Sequence, residues 1–148
     1  KKKEIQFSDF PVAYMTPALE PDEIVVEVKM PVWPEGHGYA FVEFARRHGD
    51  FAITSAAVLL EVDVDGKISR SSVTIGGVAA APVRMTELET SLIGLVPNEE
   101  KFREICEACR GIEALGDVYA STEYRQHLAT VLSRRALVKA YQRAENEG

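Results

Sequence analysis

Apolar and polar residues alternate with a period of two in four stretches in the first half of the chain. These stretches span approximately residues 23–30, 38–45, 52–62 and 67–76, and they are rich in β-branched and aromatic residues. Asp65-Gly66 separates the last two, and both residue types accept the positive φ that a type I′ turn requires. The pattern therefore predicts an antiparallel β-sheet of three to four strands.

The second half of the chain changes to the period of amphipathic helices. Thr86 and Glu89 have the spacing of a capping box, and Pro97-Asn98 separates a first helix from a second. Ser121 is placed to cap a long last helix. The apolar residues recur at i, i+3, i+4 and i+7 in three groups: Leu88, Leu92 and Leu95; Phe102, Ile105, Cys106, Cys109 and Ile112; Tyr124, Leu128, Val131, Leu132 and Ala136. Strands followed by helices predict an α+β domain, with a bundle of about three helices packed on one face of the sheet.

The first 21 residues show no clean period and contain two prolines, Pro11 and Pro17. We expect residues 1–21 to form an extended connector that packs on another domain. The 148 residues of the whole chain are enough for one ordinary core. Residues 22–148 are therefore predicted to form a single α+β domain.

Composition limits the classes of function. The net charge of −6 argues against a nucleic-acid partner, because phosphate neutralisation needs a basic surface. No apolar run approaches the roughly 20 residues of a membrane helix, and we expect no secretory signal. Two cysteines fit a reducing compartment better than a disulfide framework. We therefore expect a cytoplasmic protein without a membrane span.

Two motifs suggest metal binding, and neither is complete. A Cys106-x-x-Cys109 site lacks a second ligand pair, and both thiols lie on an apolar helical stripe, so core packing is favoured. Asp63-x-Asp65-Gly66 resembles the start of a calcium loop, but the glutamate expected six residues after the glycine is replaced by Ser72. We predict no metal site.

The remaining polar motifs predict no independent catalytic centre. Thr74–Gly77 can cradle a phosphate, but no Lys-Ser/Thr pair follows, so the glycines are better explained as the exit from a strand. His37, His48 and His127 have no accompanying nucleophile elbow. The charged stretch Arg46–Asp50 has two open interpretations: a solvated hairpin turn, or a grip on a polar ligand edge or a partner carboxylate.

Two stretches resemble a known family. They are GYAFVEFARRHGDFA, which begins at Gly38 and continues through Asp65-Gly66 to VTIGGVAAAPVR, and STEYRQHLATVLSRRAL, which begins at Ser121. In this order and spacing they resemble the C-terminal domain of the FAD-binding (medium) subunit of molybdenum hydroxylases, the family of carbon monoxide and xanthine dehydrogenases. Asp22-Glu23-Ile24 and the strand predicted after it also fit, so the resemblance covers residues 14–140.

The resemblance implies a part of a larger redox enzyme. In such complexes a subunit with the molybdenum cofactor hydroxylates the substrate, and 2Fe–2S clusters in another subunit relay electrons to FAD. The flavin passes them to an external acceptor. An N-terminal domain, not present in this chain, holds most of the FAD. The chain is thus expected to cover the flavin and to dock the subunit, without catalysing a reaction alone.

The resemblance also implies which residues face the cofactor. Val25 matches an apolar residue that packs on the isoalloxazine ring. Val42, Glu43, Arg47 and Asp50 match a loop beside the ring, where charges tune the reduction potential. No catalytic residue and no metal ligand is implied in this chain.

The family often has a lysine at or next to position 43, and its absence here favours an alternative. In that alternative the chain is a free-standing interaction module that has kept the fold and lost the flavin role. Arg134 and Arg135 on the last helix are candidate surface contacts.

Overall fold

The computed structural model describes residues 2–147, with side chains through residue 145. Its main sheet has four antiparallel strands in sequence order: β3 (Gly38–Phe44), β4 (Thr54–Val62), β5 (Ile68–Gly76) and β6 (Val83–Arg84). β1 (Pro11–Ala13) and β2 (Thr16–Pro17) form a separate small hairpin. Consecutive strands of the main sheet are neighbours, so hairpin connections build it without crossovers.

The helices follow the sheet and cover one of its faces. They are α1 (Thr86–Leu92), α2 (Glu99–Cys106), a 3-10 turn at Glu107–Gly111, and α3 (Thr122–Glu147). α3 packs across β3 and β4, with α2 beside it. The predicted α+β fold, with about three helices on one face of the sheet, is confirmed.

The side chains that point towards the helices form the core. Alternate residues of β4 are buried, and so are most of the stripe residues of the three helices. The prediction that Tyr124 faces inward is wrong, since it is 40% exposed at the start of α3. Three further stripe residues are only half-buried: Leu95, Ile105 and Val131. At the start of β3 the sheet and α3 come so close that a Cβ at Gly38 would collide with the backbone carbonyl of Ala140. The opposite face of the sheet has no covering layer among the described residues.

The predicted strand at residues 23–30 is not formed. The segment contains no strand, helix, turn or bend. Its alternation and β-branched composition are correct for a strand, but a strand also needs hydrogen bonds to a neighbour. Within residues 2–147 no such neighbour lies beside it.

The segment predicted as an extended connector contains more local structure than expected. A 3-10 turn at Phe7–Asp9 precedes the β1–β2 hairpin, and Met15 in the hairpin turn has a φ of 51°. Residue 1 of this segment and residue 148 at the other end of the chain lie outside the described residues.

The β4–β5 hairpin is confirmed, but its turn is not type I′. Gly66 has a φ of 75°, whereas Asp65 is not among the described residues with positive φ. The Gly66 N–H donates to the Asp63 carbonyl at 3.0 Å, and the Asp63 carboxylate accepts the N–H groups of Asp65 and Lys67, each at 2.9 Å. The Asp63 side chain therefore stabilises a turn in which only glycine needs a left-handed conformation.

The predicted cap at Ser121 is confirmed, Asn98 also caps the helix that was predicted to start there, and the predicted capping box at Thr86 is wrong. Asn98 accepts the N–H of Lys101, and Ser121 accepts the N–H of Tyr124. The predicted capping box at the start of α1 is absent, since Met85 occupies the cap position without a side-chain bond. Glu89 points instead into the sheet, where its carboxylate has stronger partners.

The hydrogen-bond partners of the Glu89 carboxylate come from β5 and β6. The Glu89 carboxylate accepts the Val73 N–H at 2.8 Å and two bonds from the Arg84 guanidinium at 3.0 Å. This interaction raises the pKa of Arg84 above its ordinary value. The buried carboxylate thus fastens α1 to the edge of the sheet.

Candidate functional site

The turn between β3 and β4, Arg46–Asp50, forms a charged projection that we call the hairpin corner. The Asp50 carboxylate lies 3.5 Å from Arg47 Nε and 3.9 Å from Arg46 Nη2. The Arg47 side chain is 81% exposed. Ion pairs this exposed contribute little to stability. The charges of the corner are therefore free to act on something outside the described chain.

Aromatic contacts hold the base of the hairpin corner against the start of α3. The Arg46 guanidinium lies 4.0 Å from the centre of the Tyr119 ring. Phe44, at the end of β3, meets Tyr124 edge to face with ring centres 6.2 Å apart. Cation–π and edge-to-face contacts fix orientation as well as distance. The corner is thus a positioned element with exposed charges at its tip.

A buried arginine beneath the corner ties the strand ends to α3. Arg125 is 8% exposed and donates to the carbonyls of Ile53 and Gly77, and to Asp117 at 2.6 Å. At Gly77 a Cβ would lie 2.5 Å from the Ile53 carbonyl, so only glycine permits this approach. The N–H of Tyr119, and then Ala120 and Arg125, lower the pKa of Asp117. We call these residues the Arg125 clamp.

Sequence reasoning missed the Arg125 clamp, although the sequence contained a signal for it. Arg125 stands at position i of a stripe whose i+3, i+4 and i+7 members are Leu128, Ala129 and Leu132, all buried. A charged residue on the apolar face of a helix needs a buried partner. The identity of that partner depends on the tertiary fold.

Strand alternation separates two of the expected site residues. Val42 points towards the helices and packs against the core. Glu43 is exposed on the uncovered face of the sheet, opposite Ser55 of β4. Of these two adjacent residues, only Glu43 is therefore placed to meet a ligand on the uncovered face.

The uncovered face of the sheet is apolar at its centre. It carries a shallow depression of about 410 Å³. Phe41 and Tyr39 are 63% and 47% exposed there, and Ala57 lies between their strand and β5. Among the residues that line it, Tyr39, Ser72 and Thr74 have polar side-chain groups. Such a flat apolar surface fits a planar ring or another apolar surface.

Val25 is not part of the main sheet but of the segment at residues 23–30, and 46% of its surface is exposed. No hydrogen bond, ion pair or ring contact among residues 2–147 joins this segment to the hairpin corner. The structure brings four of the expected site residues into one hairpin and leaves Val25 outside it.

The remaining motifs take structural roles. Cys106 and Cys109 are fully buried free thiols, and burial raises the pKa of both. No group of three or more potential metal ligands exists among the described residues. β5 ends at Gly76, and Gly77, with a φ of 77°, turns the chain away, as expected for a strand exit. Within residues 2–147, no helix is both long enough and apolar enough to cross a membrane.

Similarity to known proteins agrees with this geometry. The profile of the CO dehydrogenase flavoprotein C-terminal domain matches residues 39–140. The chain is 33% identical over 144 residues to the 6-hydroxypseudooxynicotine dehydrogenase complex subunit alpha of Paenarthrobacter nicotinovorans, covering 97% of this chain and 49% of the relative. It is 35% identical over 135 residues to the carbon monoxide dehydrogenase medium chain of Afipia carboxidovorans, covering 90% and 46%.

Solved structures show the same fold. A chain of Cu,Mo-CO dehydrogenase superposes with a TM-score of 0.83 at 32% identity, covering 91% of this chain and 47% of that one. A chain of quinoline 2-oxidoreductase from Pseudomonas putida 86 gives 0.84 at 29% identity, covering 93% and 47%. The chain therefore spans about half the length of the proteins it matches. It belongs to the CO dehydrogenase flavoprotein C-terminal domain family, the family of medium subunits of molybdenum hydroxylases.

Proposed function

We propose that this chain is the C-terminal part of the FAD-binding subunit of a molybdenum-hydroxylase-type oxidoreductase. It covers a flavin held mainly by another domain, and it docks that subunit beside partners with 2Fe–2S clusters and the molybdenum cofactor. The observation that carries the proposal is the family match over residues 39–140, in a chain that spans half the length of its relatives.

The described residues fit an FAD at the hairpin corner. A flavin presents a flat apolar ring with a polar edge, and this side of the domain offers a flat apolar surface that ends in charged side chains. In the proposal Val25 packs on the ring, while Glu43, Arg47 and Asp50 line its polar edge. Val42 supports them from the core side. When bound, the flavin would accept electrons from the clusters and release them to an external acceptor.

In the proposal the positive charge of Arg47 affects the reduction potential of the flavin. Reduction makes the flavin more negative, and a fixed positive charge nearby stabilises the reduced form. For an assumed separation of about 7 Å between the guanidinium and the ring, in a medium close to water, one charge changes the potential by about 10–30 mV. The contacts of Arg46 with Tyr119 and of Phe44 with Tyr124 hold the base of the corner from which Arg47 projects. Arg47 is thus proposed to raise the flavin potential.

The test compares Arg47→Ala with Arg103→Ala in the purified full-length subunit. Arg103 is an exposed arginine of α2, so it controls for the loss of a surface charge. Spectroelectrochemical titration should show a lower flavin potential for Arg47→Ala, recovery in Arg47→Lys, and no change for the control. Equal potentials for all four proteins would exclude a flavin role for Arg47. Absence of flavin and iron–sulfur absorption bands from the native complex would reject the proposed function as a whole.

The isolated chain is expected to bind FAD weakly or not at all. Thr74–Gly77 lies at the end of β5 near the base of the hairpin corner, and Arg125 donates to the Gly77 carbonyl, so this stretch belongs to the Arg125 clamp. No Lys-Ser/Thr pair follows it to complete a phosphate-binding loop. If equilibrium dialysis gave a submicromolar affinity of this chain alone for FAD, it would contradict the proposal that another domain holds most of the cofactor.

We place the complex in the cytoplasm. Both cysteines are buried free thiols, 0% exposed, and they pack as small apolar side chains. Their free state fits a reducing compartment. Cell fractionation that recovered the flavin subunit outside the cytoplasm would reject this location.

A free-standing interaction module is the second candidate. Glu43 places a negative charge on the uncovered face, beside the hairpin corner, where it opposes the accumulation of negative charge on a reduced flavin. Copurification decides between the two candidates. A flavin-domain partner, or a flavin domain in the same polypeptide, excludes the module.

A further inference from the structure

Residues 24–30 have one apolar side and one polar side. Every second residue is apolar and strongly exposed: Ile24 81%, Val26 74%, Val28 71% and Met30 81%. On the polar side Glu27 and Lys29 face residues near the start of the chain. Glu27 lies 3.8 Å from Lys2, and Lys29 lies 2.7 Å from Glu4. The polar side therefore has partners within the chain, and the apolar side has none among the described residues.

The backbone of this segment is also unpaired. Its residues contain no helix, turn or bend, so the chain runs without a sharp change of direction. Within residues 2–147 no backbone hydrogen bond to another segment involves residues 24–30. Exposed β-branched side chains on an unpaired extended backbone are typical of a strand that has been separated from its sheet. Both its side chains and its amides point to a missing neighbouring strand.

The free edge of β3 is a poor candidate for that neighbour. The Tyr39 carbonyl on this edge already accepts a bond from Arg143 at 2.5 Å, and the Arg143 guanidinium lies 4.4 Å from the Tyr39 ring. Trp33, which follows the segment, stacks 4.0 Å from the guanidinium of Arg70 on β5. Trp33 also lies 5.8 Å from the His37 ring, so the chain after the segment lies against β5 and the start of β3.

The neighbouring strand is better sought in the half of the relatives that this chain does not span. The family profile begins at residue 39, so residues 24–30 lie before the matched C-terminal domain. The relatives and solved chains are about twice as long as this chain. A segment joined covalently to a domain meets it at a high effective concentration, and it needs little affinity to stay in place.

We infer that residues 24–30 form an edge strand of a β-sheet in the FAD-binding half of the same subunit. The side chains of Ile24, Val26, Val28 and Met30 enter the core of that half, and Trp33 on Arg70 marks the return to this domain. The inference rests on the proposed function for the identity of that half. It makes the segment a strap that holds the two halves around the flavin, with Val25 on the opposite side from the buried set.

The test measures amide hydrogen exchange of residues 24–30 in the purified full-length subunit loaded with FAD. An edge strand pairs on one side only, so every second amide should exchange on the order of 100-fold more slowly than in the unfolded subunit. Val26→Lys should reduce this protection by about 10-fold or more, since the apolar side is buried. Glu27→Lys, the matched control on the polar side, should change it by less than about 3-fold because its ion pair is exposed.

Each result separates this inference from the proposed function. Unprotected amides in a subunit that holds FAD would overturn the strand and leave the function standing. Equal effects of Val26→Lys and Glu27→Lys would overturn the assignment of the buried side. Protection that disappears on dilution, together with a dimer mass, would assign the segment to a second copy and overturn the inference. A subunit without FAD but with protected amides would keep the strand and reject the function.

The subunit carrying Val26→Lys is at risk of not folding. Val26→Thr therefore serves as the second variant, since it keeps the shape and the β-propensity and adds only one hydroxyl. Its protection should fall between those of the wild type and Val26→Lys. Protection equal to that of the wild type in Val26→Thr would show that Val26 is not buried, and would overturn the inference.

Discussion

The Arg125 clamp gives the sharpest prediction about stability. Arg125→Met keeps an unbranched side chain of similar length and removes the guanidinium. The carbonyls of Ile53 and Gly77 then lose their donor, and Asp117 loses its charged partner. The Asp117 side chain is 46% exposed, so water replaces the lost partner there. The main cost therefore falls on the two carbonyls.

The size of this cost follows from burial. A buried carbonyl without a donor costs about 1–3 kcal/mol, and two carbonyls are affected. Removal of the guanidinium offsets part of this destabilisation, since Arg125 Nε is buried without a hydrogen-bond partner. We expect Arg125→Met to lower the free energy of unfolding by about 3 kcal/mol. Arg125→Lys should recover less than half of this loss, because one ammonium group cannot span all three acceptors.

Urea unfolding of the chain followed by circular dichroism measures the effect. The matched control is Arg135→Met, an exposed arginine on the same helix, with an expected change below about 0.5 kcal/mol. The slope of free energy against urea should stay the same in all variants. A loss below about 1 kcal/mol for Arg125→Met would show that water satisfies these carbonyls, and that the clamp is not a stabilising element.

Three further predictions test other parts of the structure. Glu89→Gln should lower the free energy of unfolding by about 2 kcal/mol, because the buried carboxylate accepts bonds from a backbone N–H and from a guanidinium. In the same urea assay Glu87→Gln, on the exposed side of α1, should change it by less than about 0.5 kcal/mol. Neither Cys106 nor Cys109 should react with a thiol reagent in the folded protein, and both should react after denaturation; fast labelling of the native chain would contradict their burial and raised pKa. The pKa of Asp117 is lowered in the folded chain, so its contribution is present above the ordinary value of 3.8 and lost as the pH falls through the lower folded value. Unfolding measured from pH 5 down to pH 2.5 should therefore show a smaller loss of stability for Asp117→Asn than for the wild type.

Sequence reasoning succeeded where an element finds its partner nearby along the chain. β3, β4 and β5 are joined by short turns, so their alternation alone predicted them to within about two residues. The start of α2 after Pro97-Asn98 and its apolar side at Phe102, Ile105 and Cys106 also depend on local spacing, and they were predicted correctly. The helix ends at Cys106, before Cys109 and Ile112 of the predicted stripe. In these cases the burial of one face follows from the pattern itself.

Sequence reasoning failed where tertiary partners decide the outcome. The alternation at residues 23–30 is as regular as that of β3, but the segment has no neighbouring strand in the described chain. Glu89 has the spacing of a capping box, and the stronger acceptor site beside Val73 and Arg84 outcompetes the cap. The role of Arg125 does not follow from the sequence, because its acceptors come from strand ends some 50 to 70 residues away along the chain.

In the candidate site, the residues that hold the hairpin corner in place differ from the residues that carry its exposed charges. Mutations can therefore test the proposed function separately from stability. Buried and aromatic contacts hold the base of the hairpin corner: the Arg125 clamp, Arg46 on Tyr119 and Phe44 on Tyr124. The charges at its tip, Arg47 and Asp50, contribute little to the fold because they are exposed. Changes at the tip should therefore alter the flavin potential and leave the unfolding energy unchanged. Changes in the clamp should lower the unfolding energy first, and they should disturb the flavin only as far as they move the corner.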